Sequence, residues 1–376
     1  MMSPFRLFDT IHGSGRGLSD KLAVLHDQIR ERHAHVDRMA IALYDAKTDL
    51  LKTFVNSDKA ENVLLGYQAP LAAVPSLKRI AESGIPRVID DLNDTLSPAA
   101  EHSHWLLEHA YRSSFTLPIK QDGDLIGFLF FDSLRPRAFC TDVVRDLDIY
   151  ARLIALTVTQ ELTAIKTLVG SVQMARDFAH LRDLETGVHL DRMARYARLV
   201  ARKLAPRLSL TDEFVEHVFL FAPLHDIGKI GVPDTILLKQ GRLDEHERRI
   251  MQTHVHKGCE MIDRIIEDFS LTGLPNVDIL RNIVAAHHER IDGSGYPQGL
   301  AQQDIPLEAS IVAIADVFDA LTSPRPYKRP WSNDEACGEL QKMCAAGKLD
   351  PDCVACLTEN LPEVEQIQRQ FAVPAA

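Results

Sequence analysis

The chain has 376 residues, enough for two or three domains that each bury their own core, and its 45% hydrophobic and 25% charged residues are an ordinary globular composition. Its 42 Lys and Arg face 53 Asp and Glu, giving a net charge of -11. That balance argues against a protein that coats polymeric nucleic acid, but not against a small anionic substrate, because bound metal ions can reverse the local potential.

Met1–Asp9 carries no secretory pattern, and the longest strongly apolar run, Leu125–Phe131, is too short to span a bilayer. The six cysteines form no disulfide framework, and Cys353 and Cys356 read as two thiols on a helix face. A cytoplasmic protein without membrane association is expected. Gly13-Ser-Gly15-Arg-Gly17 hints at a phosphate loop but lacks the following Gly-Lys-Ser/Thr and a preceding strand, so residues 1–17 read as a flexible leader.

Leu18, Leu22, Leu25 and Ile29 recur at three- and four-residue spacing and predict an amphipathic helix over Leu18–Arg32. Short strand-like runs follow at Met39–Tyr44, Leu51–Val55 and Pro86–Ile89. Phe115, Leu117 and Ile119 alternate, Asp122-Gly123 supplies a turn, and Leu125–Phe131 returns, which predicts a hairpin. Helical pieces at Ser76–Ser83 and Ala99–Ala110 lie between the strands, and His102, His104 and His109 read as residues of a solvated helix. The mixture predicts an α+β sensor-like domain. The segment from Ser113 to Val158 resembles the last two strands and closing helix of a GAF domain, with the likeness extending over roughly residues 18–160. The resemblance implies a dimerising module, or one that takes an unidentified small-molecule ligand.

From Thr141 to Asp177 the pattern is one long helix. Leu147, Ala151, Ile154, Val158, Leu162, Ile165, Val169 and Val172 form a near-heptad stripe with one four-residue stutter. The stripe fits a helix packed on its own domain, and equally a parallel signalling helix in a homodimer. After Asp177 strand signals vanish and the rest reads as all-α.

Within that half, Glu185, His189, His225-Asp226, His254, His287-His288 and Asp316 are eight potential metal ligands. Glu185 and His189 share a helix face at i and i+4. His225-Asp226 falls in the apolar stretch Phe219–Ile230, read as a helix, and Asp316 interrupts Ile311–Phe318. Such groups are costly to bury without a metal or partner. Imidazole and carboxylate without cysteine suit Fe or Mn, and the ligand number exceeds what one ion needs, so two or three ions are expected, with Asp226 as the bridge. Closely spaced ions activate water and clamp the oxygens of an in-line phosphoryl displacement. Lys229, three residues after Asp226, points at the same cavity, where it can neutralise a phosphate oxygen. His217, His246 and His256 read as bystanders.

His225-Asp226-Ile-Gly-Lys229 and His287-His-Glu-Arg-Ile-Asp292-Gly-Ser-Gly295-Tyr296-Pro297 resemble the two signatures of the HD-GYP phosphodiesterases. The likeness runs from Glu185-Thr-Gly-Val-His189 through Asp316-Val-Phe-Asp319-Ala-Leu-Thr322-Ser-Pro-Arg325-Pro-Tyr327-Lys328 and ends near Asp350-Pro351. It implies hydrolysis of cyclic di-GMP, or of a related cyclic dinucleotide, at an iron- or manganese-type centre. His189, His225, Asp226, His254, His287, His288 and Asp316 take the places of metal ligands, and Glu185 that of the extra ligand for a third ion. Lys229 matches the lysine on one phosphate, and Arg325 and Lys328 match basic residues near the other. Asp292 lies in the loop that names the family and is a candidate substrate contact. Val255 stands where relatives carry proline, a difference that concerns where the helix starts.

The expected organisation is therefore a leader at 1–17, a GAF-like α+β sensor at 18–145, a connecting helix at 146–177 and an all-α HD-GYP domain at 178–376. The expected activity is cleavage of cyclic di-GMP to the linear dinucleotide and on to GMP by a homodimer, with three ions favoured over two. The alternatives are a phosphodiesterase for hybrid cyclic GMP-AMP and a non-catalytic module that docks cyclic dinucleotides.

Overall fold

A computed structural model describes residues 17–57, 64, 66–95, 101–179, 187–268, 276–323 and 329–372. The chain divides into two compact units, and the division between Thr163 and Ala164 falls inside one long helix.

The first unit begins with helix α1 (Leu18–Arg32), whose Leu18, Leu22, Leu25 and Ile29 are at most 1% exposed. Six strands follow: β1 (Arg38–Asp45), β2 (Leu50–Asn56), β3 (Gln68–Pro70), β4 (Arg87–Ile89), β5 (Ser113–Gln121) and β6 (Asp124–Ser133). They form one antiparallel sheet in the order β3-β2-β1-β6-β5-β4. The β5–β6 hairpin closes through Asp122 (φ 52°) and Gly123 (φ 94°), the doubly positive turn that matches strand twist. Helix α2 (Pro75–Ser83) covers one apolar cluster with Ala40, Leu51, Phe128 and Phe130. Helix α3 (Glu101–Glu108) places Trp105 and Leu106 in another with Ile89, Leu92 and Tyr111. Strand β3 has only three residues, too few for its alternation to stand out in the sequence.

Helix α4 spans Thr141–Ala179. Along its stripe Leu147, Ile154 and Val158 are fully buried and Ile165 nearly so. Ile149 and Leu156 are exposed on a different face. Among the described residues, Thr141–Ser171 is the one segment long and apolar enough to cross a membrane, at mean hydropathy 1.2, and a third of its most apolar window is buried in the protein.

The second unit is helical. It contains α5 (Gly187–Leu208), α6 (Asp212–Phe221), α7 (Glu245–Asp268), α8 (Val277–Ala286), α9 (Leu307–Thr322), α10 (Asn333–Ala345), α11 (Pro351–Thr358) and α12 (Leu361–Gln370). Helix α5 runs through the centre and packs on α9, α11 and α12 around Met193, Tyr196, Phe221, Ile283, Ile314 and Phe318. The expected helix over Phe219–Ile230 is broken. α6 stops at Phe221, and two 3-10 turns follow at Ala222–Leu224 and Ile227–Gly231. Pro223 has no N–H to continue the α-helical ladder, and the second turn presses Gly228 against the backbone of α7. Val255 lies in the middle of α7 at 1% exposure, so the departure from proline concerns a buried helix interior and not where the helix starts.

Candidate metal centre

Five elements bring the ligand candidates together. Helix α5 supplies His189, the broken turn after α6 supplies His225, Asp226 and Lys229, α7 supplies His254, the end of α8 supplies His287 and His288, and α9 supplies Asp316. One ligand atom from each of Asp226, His254, His287 and His288 lies within 4.8 Å of the others. His189 and His225 approach Asp316 from the other side, each with Nε2 3.9 Å from Asp316 Oδ1. Asp226 faces both groups: Oδ1 lies 3.1 Å from His254 Nε2 and 3.6 Å from His287 Nε2, while Oδ2 lies 3.1 Å from His225 Nε2.

The far nitrogen of each ring fixes its tautomer. Nδ1 donates to a main-chain carbonyl in His225 (Ala222, 2.9 Å), His254 (Met251, 2.8 Å) and His287 (Ile283, 2.9 Å), and to the Asp319 carboxylate in His189 (2.5 Å). Carbonyl and carboxylate oxygens only accept, so Nδ1 carries a proton in each of these rings and Nε2 is the atom turned toward the centre. Burial pushes His287 below its ordinary pKa against the pull of Asp226, and burial together with His287 drives His288 far down. Burial alone would raise the Asp226 pKa, but Lys229 and His225 beside it hold the carboxyl well below the usual range. The result is an anionic carboxylate oxygen facing two imidazole Nε2 atoms at 3.1 and 3.6 Å. Among the described residues, Asp226 Oδ1 and the Nε2 atoms of His189, His254 and His287 are buried without a hydrogen-bond partner. Imidazole nitrogens and carboxylate oxygens that converge in this way form a donor set that fits a divalent first-row ion.

Lys229 Nζ is 2.7 Å from Asp226 Oδ2, three residues on through the 3-10 turn. The loop after α8 folds Tyr296 over His288, with ring centroids 4.6 Å apart. Asp292 is exposed and accepts from Ser294 N (2.9 Å) within its own turn, where Gly293 has φ 75°, so its carboxylate serves the loop and lies outside the cluster. Glu185, Arg325 and Lys328 lie outside the described residues, as does the leader before residue 17. His256 is exposed and paired with Glu260, and His246 is exposed.

Three features escape the sequence reading. Asp319 is fully buried behind His189. Glu289 accepts Gln298 N (2.7 Å) and Leu300 N (3.0 Å) and thereby ties down the Tyr296 loop. Gly228 and Gly258 let the turn bearing Asp226 touch α7. The available signal for Asp319 was its place one turn after Asp316 on an apolar helix.

The first unit contains a second site. A pocket there is lined by Arg38, Lys52, Thr53, Tyr67, His102 and Phe130 among others. His102 is therefore not a solvated residue. Its ring lies 5.9 Å from both Tyr67 and Phe130, and desolvation pushes its pKa down to about 4. His104 is exposed, as expected, whereas His109 stacks on Trp105. Arg38 pairs with Asp132 at 2.5 Å, but its Nε is buried without a hydrogen bond.

Residues 184–353 match the HD domain family, and residues 18–158 match the GAF domain family. The cyclic di-GMP phosphodiesterase response regulator RpfG of Xanthomonas campestris pv. campestris (strain 8004) is 39% identical over 274 residues, which cover 69% of this chain and 68% of that protein. A cyclic di-GMP phosphodiesterase of Thermotoga maritima is 38% identical over 190 residues, 50% of this chain and 48% of its own. The 3'3'-cGAMP-specific phosphodiesterase 2 of Vibrio cholerae is 37% identical over 221 residues, 58% of this chain and 40% of its own. The chain thus spans about two thirds of the first relative and half or less of the other two. It is an HD-domain phosphohydrolase of the divalent-metal type with a GAF domain ahead of it. It belongs to the HD-GYP family of cyclic dinucleotide phosphodiesterases.

Proposed function

We propose that this chain hydrolyses cyclic di-GMP to the linear dinucleotide and then to GMP. The observation that carries this reading is the set of inward lone pairs on His189, His254 and His287 converging with a carboxylate whose two oxygens face different ligand groups. Bound Fe or Mn ions, three in preference to two, supply Lewis acidity that activates water and neutralises phosphoryl oxygens. His189, His225, Asp226, His254, His287, His288 and Asp316 would hold them, and Glu185, four residues before His189 in the sequence, would add the ligand for a third. Lys229, already at the Asp226 carboxylate, moves its charge to a non-bridging oxygen as negative charge develops there. Water attacks phosphorus and the 3′ oxygen leaves with a proton. Arg325 and Lys328 neutralise the second phosphate, and Asp292, exposed on the loop after α8, contacts the substrate.

The GAF domain is the sensor of a homodimeric enzyme. Its cavity takes a small ligand with a hydrogen-bond acceptor for Arg38 and a planar group to lie among Tyr67, His102 and Phe130. All six cysteines are free, which fits a reducing cytoplasm. The test is purification without oxygen, a metal count per chain, and product analysis with cyclic di-GMP and hybrid cyclic GMP-AMP in parallel. Three ions and GMP accumulating after the linear product are expected, with Glu185→Ala stopping at two ions and the linear product. Metal-loaded protein that turns over neither dinucleotide overturns the proposal, and faster turnover of the hybrid redirects it.

A further inference from the structure

His225, His254 and His287 are oriented by carbonyls three or four residues away on their own turns. His189 is oriented differently, because its Nδ1 partner is Asp319, on another helix 130 residues along the chain. Asp319 is fully buried and held from several directions. Arg192 donates Nε to Oδ1 (2.7 Å) and Nη2 to Oδ2 (2.9 Å), a two-pronged pair, and Ser323 Oγ donates to Oδ2 (2.8 Å). Arg192 is itself fixed, with Nη2 on Ser323 Oγ (2.6 Å) and Nη1 on the main-chain carbonyl of Phe371, after α12 (3.1 Å). Arg192 lies one turn after His189 on α5, and Asp319 one turn after Asp316 on α9. One buried ion pair therefore joins the two helices that present His189 and Asp316, whose facing atoms are 3.9 Å apart. His254, His287 and His288 have no part in it.

We propose that Asp319 and Arg192 are a positioning pair that sets metal occupancy on the His189–Asp316 side of the centre, and that the main-chain carbonyl of Phe371 holds the pair in place. This rests on the metal reading above. A carboxylate behind a ligand imidazole fixes the ring and raises its basicity, and removing such a partner typically weakens metal binding by about 10–100-fold. Because the other rings are pinned locally, the loss is confined to one side. An Arg–carboxylate fork is also direction-specific, so lysine is no equivalent for Arg192.

The experiment is Mn²⁺ titration of metal-free full-length protein by calorimetry, followed by electron paramagnetic resonance. Wild type binds at least two ions and shows a spin-coupled signal. In Asp319→Asn one binding step weakens about 10–100-fold while the remainder titrates as in wild type, and the resonance becomes that of isolated Mn²⁺. Arg192→Lys falls between the two, and Ser323→Ala, which leaves the ion pair intact, shifts the same step by a few-fold. Ending the chain at Gln370 weakens that step as well. Should Asp319→Asn not fold, the serine variant and the truncation carry the test. Equal weakening of every step, or no change in any, overturns the proposal. A wild-type protein that binds no Mn²⁺ defeats instead the metal reading on which the proposal rests.

Discussion

Gly228→Ala tests whether the broken turn and α7 form one rigid wall of the centre. A methyl group at Gly228 would sit 1.8 Å from the His254 carbonyl oxygen, 2.5 Å from Gly258 N and 2.8 Å from the His254 carbonyl carbon. All three are backbone atoms, so no side chain can rotate away. Real contacts of this kind stay above 3.0 Å, so turn and helix must part by about 1.2 Å, the difference between 3.0 and 1.8 Å. One wall carries Asp226 and Lys229 and the other carries His254, so the 3.1 Å separation of Asp226 Oδ1 from His254 Nε2 opens by a similar amount. Overpacking of this kind costs about 1–3 kcal/mol, and a displacement of about 1 Å at reacting groups costs about 10²-fold in rate. The expected variant melts several degrees lower, binds Mn²⁺ more weakly and turns over cyclic di-GMP at about a hundredth of the wild-type rate. Gly338→Ala is the control, since nothing lies within 4 Å of the added methyl in α10 and alanine there favours the helix. Wild-type melting and turnover in Gly228→Ala would refute the rigid-wall argument.

Asp226→Ala is expected to abolish turnover and lower the metal count, read by elemental analysis, because two groups of imidazoles lose the carboxylate between them. Lys229→Ala is expected to keep its metals and lose about 10²–10³ in kcat, measured alongside Mn²⁺ content, and loss of metal instead would contradict a role toward substrate. His102 titrates near 4 in the folded state and near 6.5 when unfolded, so its contribution to stability is complete above pH 6.5 and is lost as pH falls toward 4. The upper bound is about 2 kcal/mol by pH 5, from about 1.4 kcal/mol per pH unit. His102→Phe should therefore show a smaller drop in melting temperature from pH 7 to pH 5 than wild type.

Much of the fold was legible because its signals are local. The helix Leu18–Arg32 declares itself by spacing, and the β5–β6 hairpin by alternation around Asp-Gly. Other features depend on partners distant in sequence. Phe219–Ile230 is mostly apolar and reads as a helix, yet Pro223 and the close approach of Gly228 to Gly258 go with 3-10 turns that carry His225 and Asp226. His102 is one residue from exposed Glu101 on a short polar helix, and only the rings of Tyr67 and Phe130 make it a cavity residue.

The candidate ligands stand out in the sequence for a different reason, which also explains why their supporting residues do not. A histidine or carboxylate inside an apolar run is conspicuous, because burying it alone is costly, and His225-Asp226 and Asp316 stand out on that ground. Asp319 interrupts the same apolar helix, but its partner His189 lies 130 residues away, so its role has no local signal. Arg192 was hidden by its neighbours, because Arg195 and Arg198 follow at three-residue spacing on α5 and the series looks like a solvated face. Each is instead buried against its own partner: Arg192 on Asp319, Arg195 4.1 Å over the Phe371 ring, and Arg198 on Glu216 at 2.5 Å. Three buried guanidinium groups on the helix that presents His189 are a costly way to attach α5 to its surroundings, and apolar packing would do it at least as well. What the ionic pairs add is direction. The fork of Arg192 on Asp319 joins α5 to α9 in one geometry, and the same carboxylate accepts from His189 Nδ1, so the pair and the imidazole share one anchor.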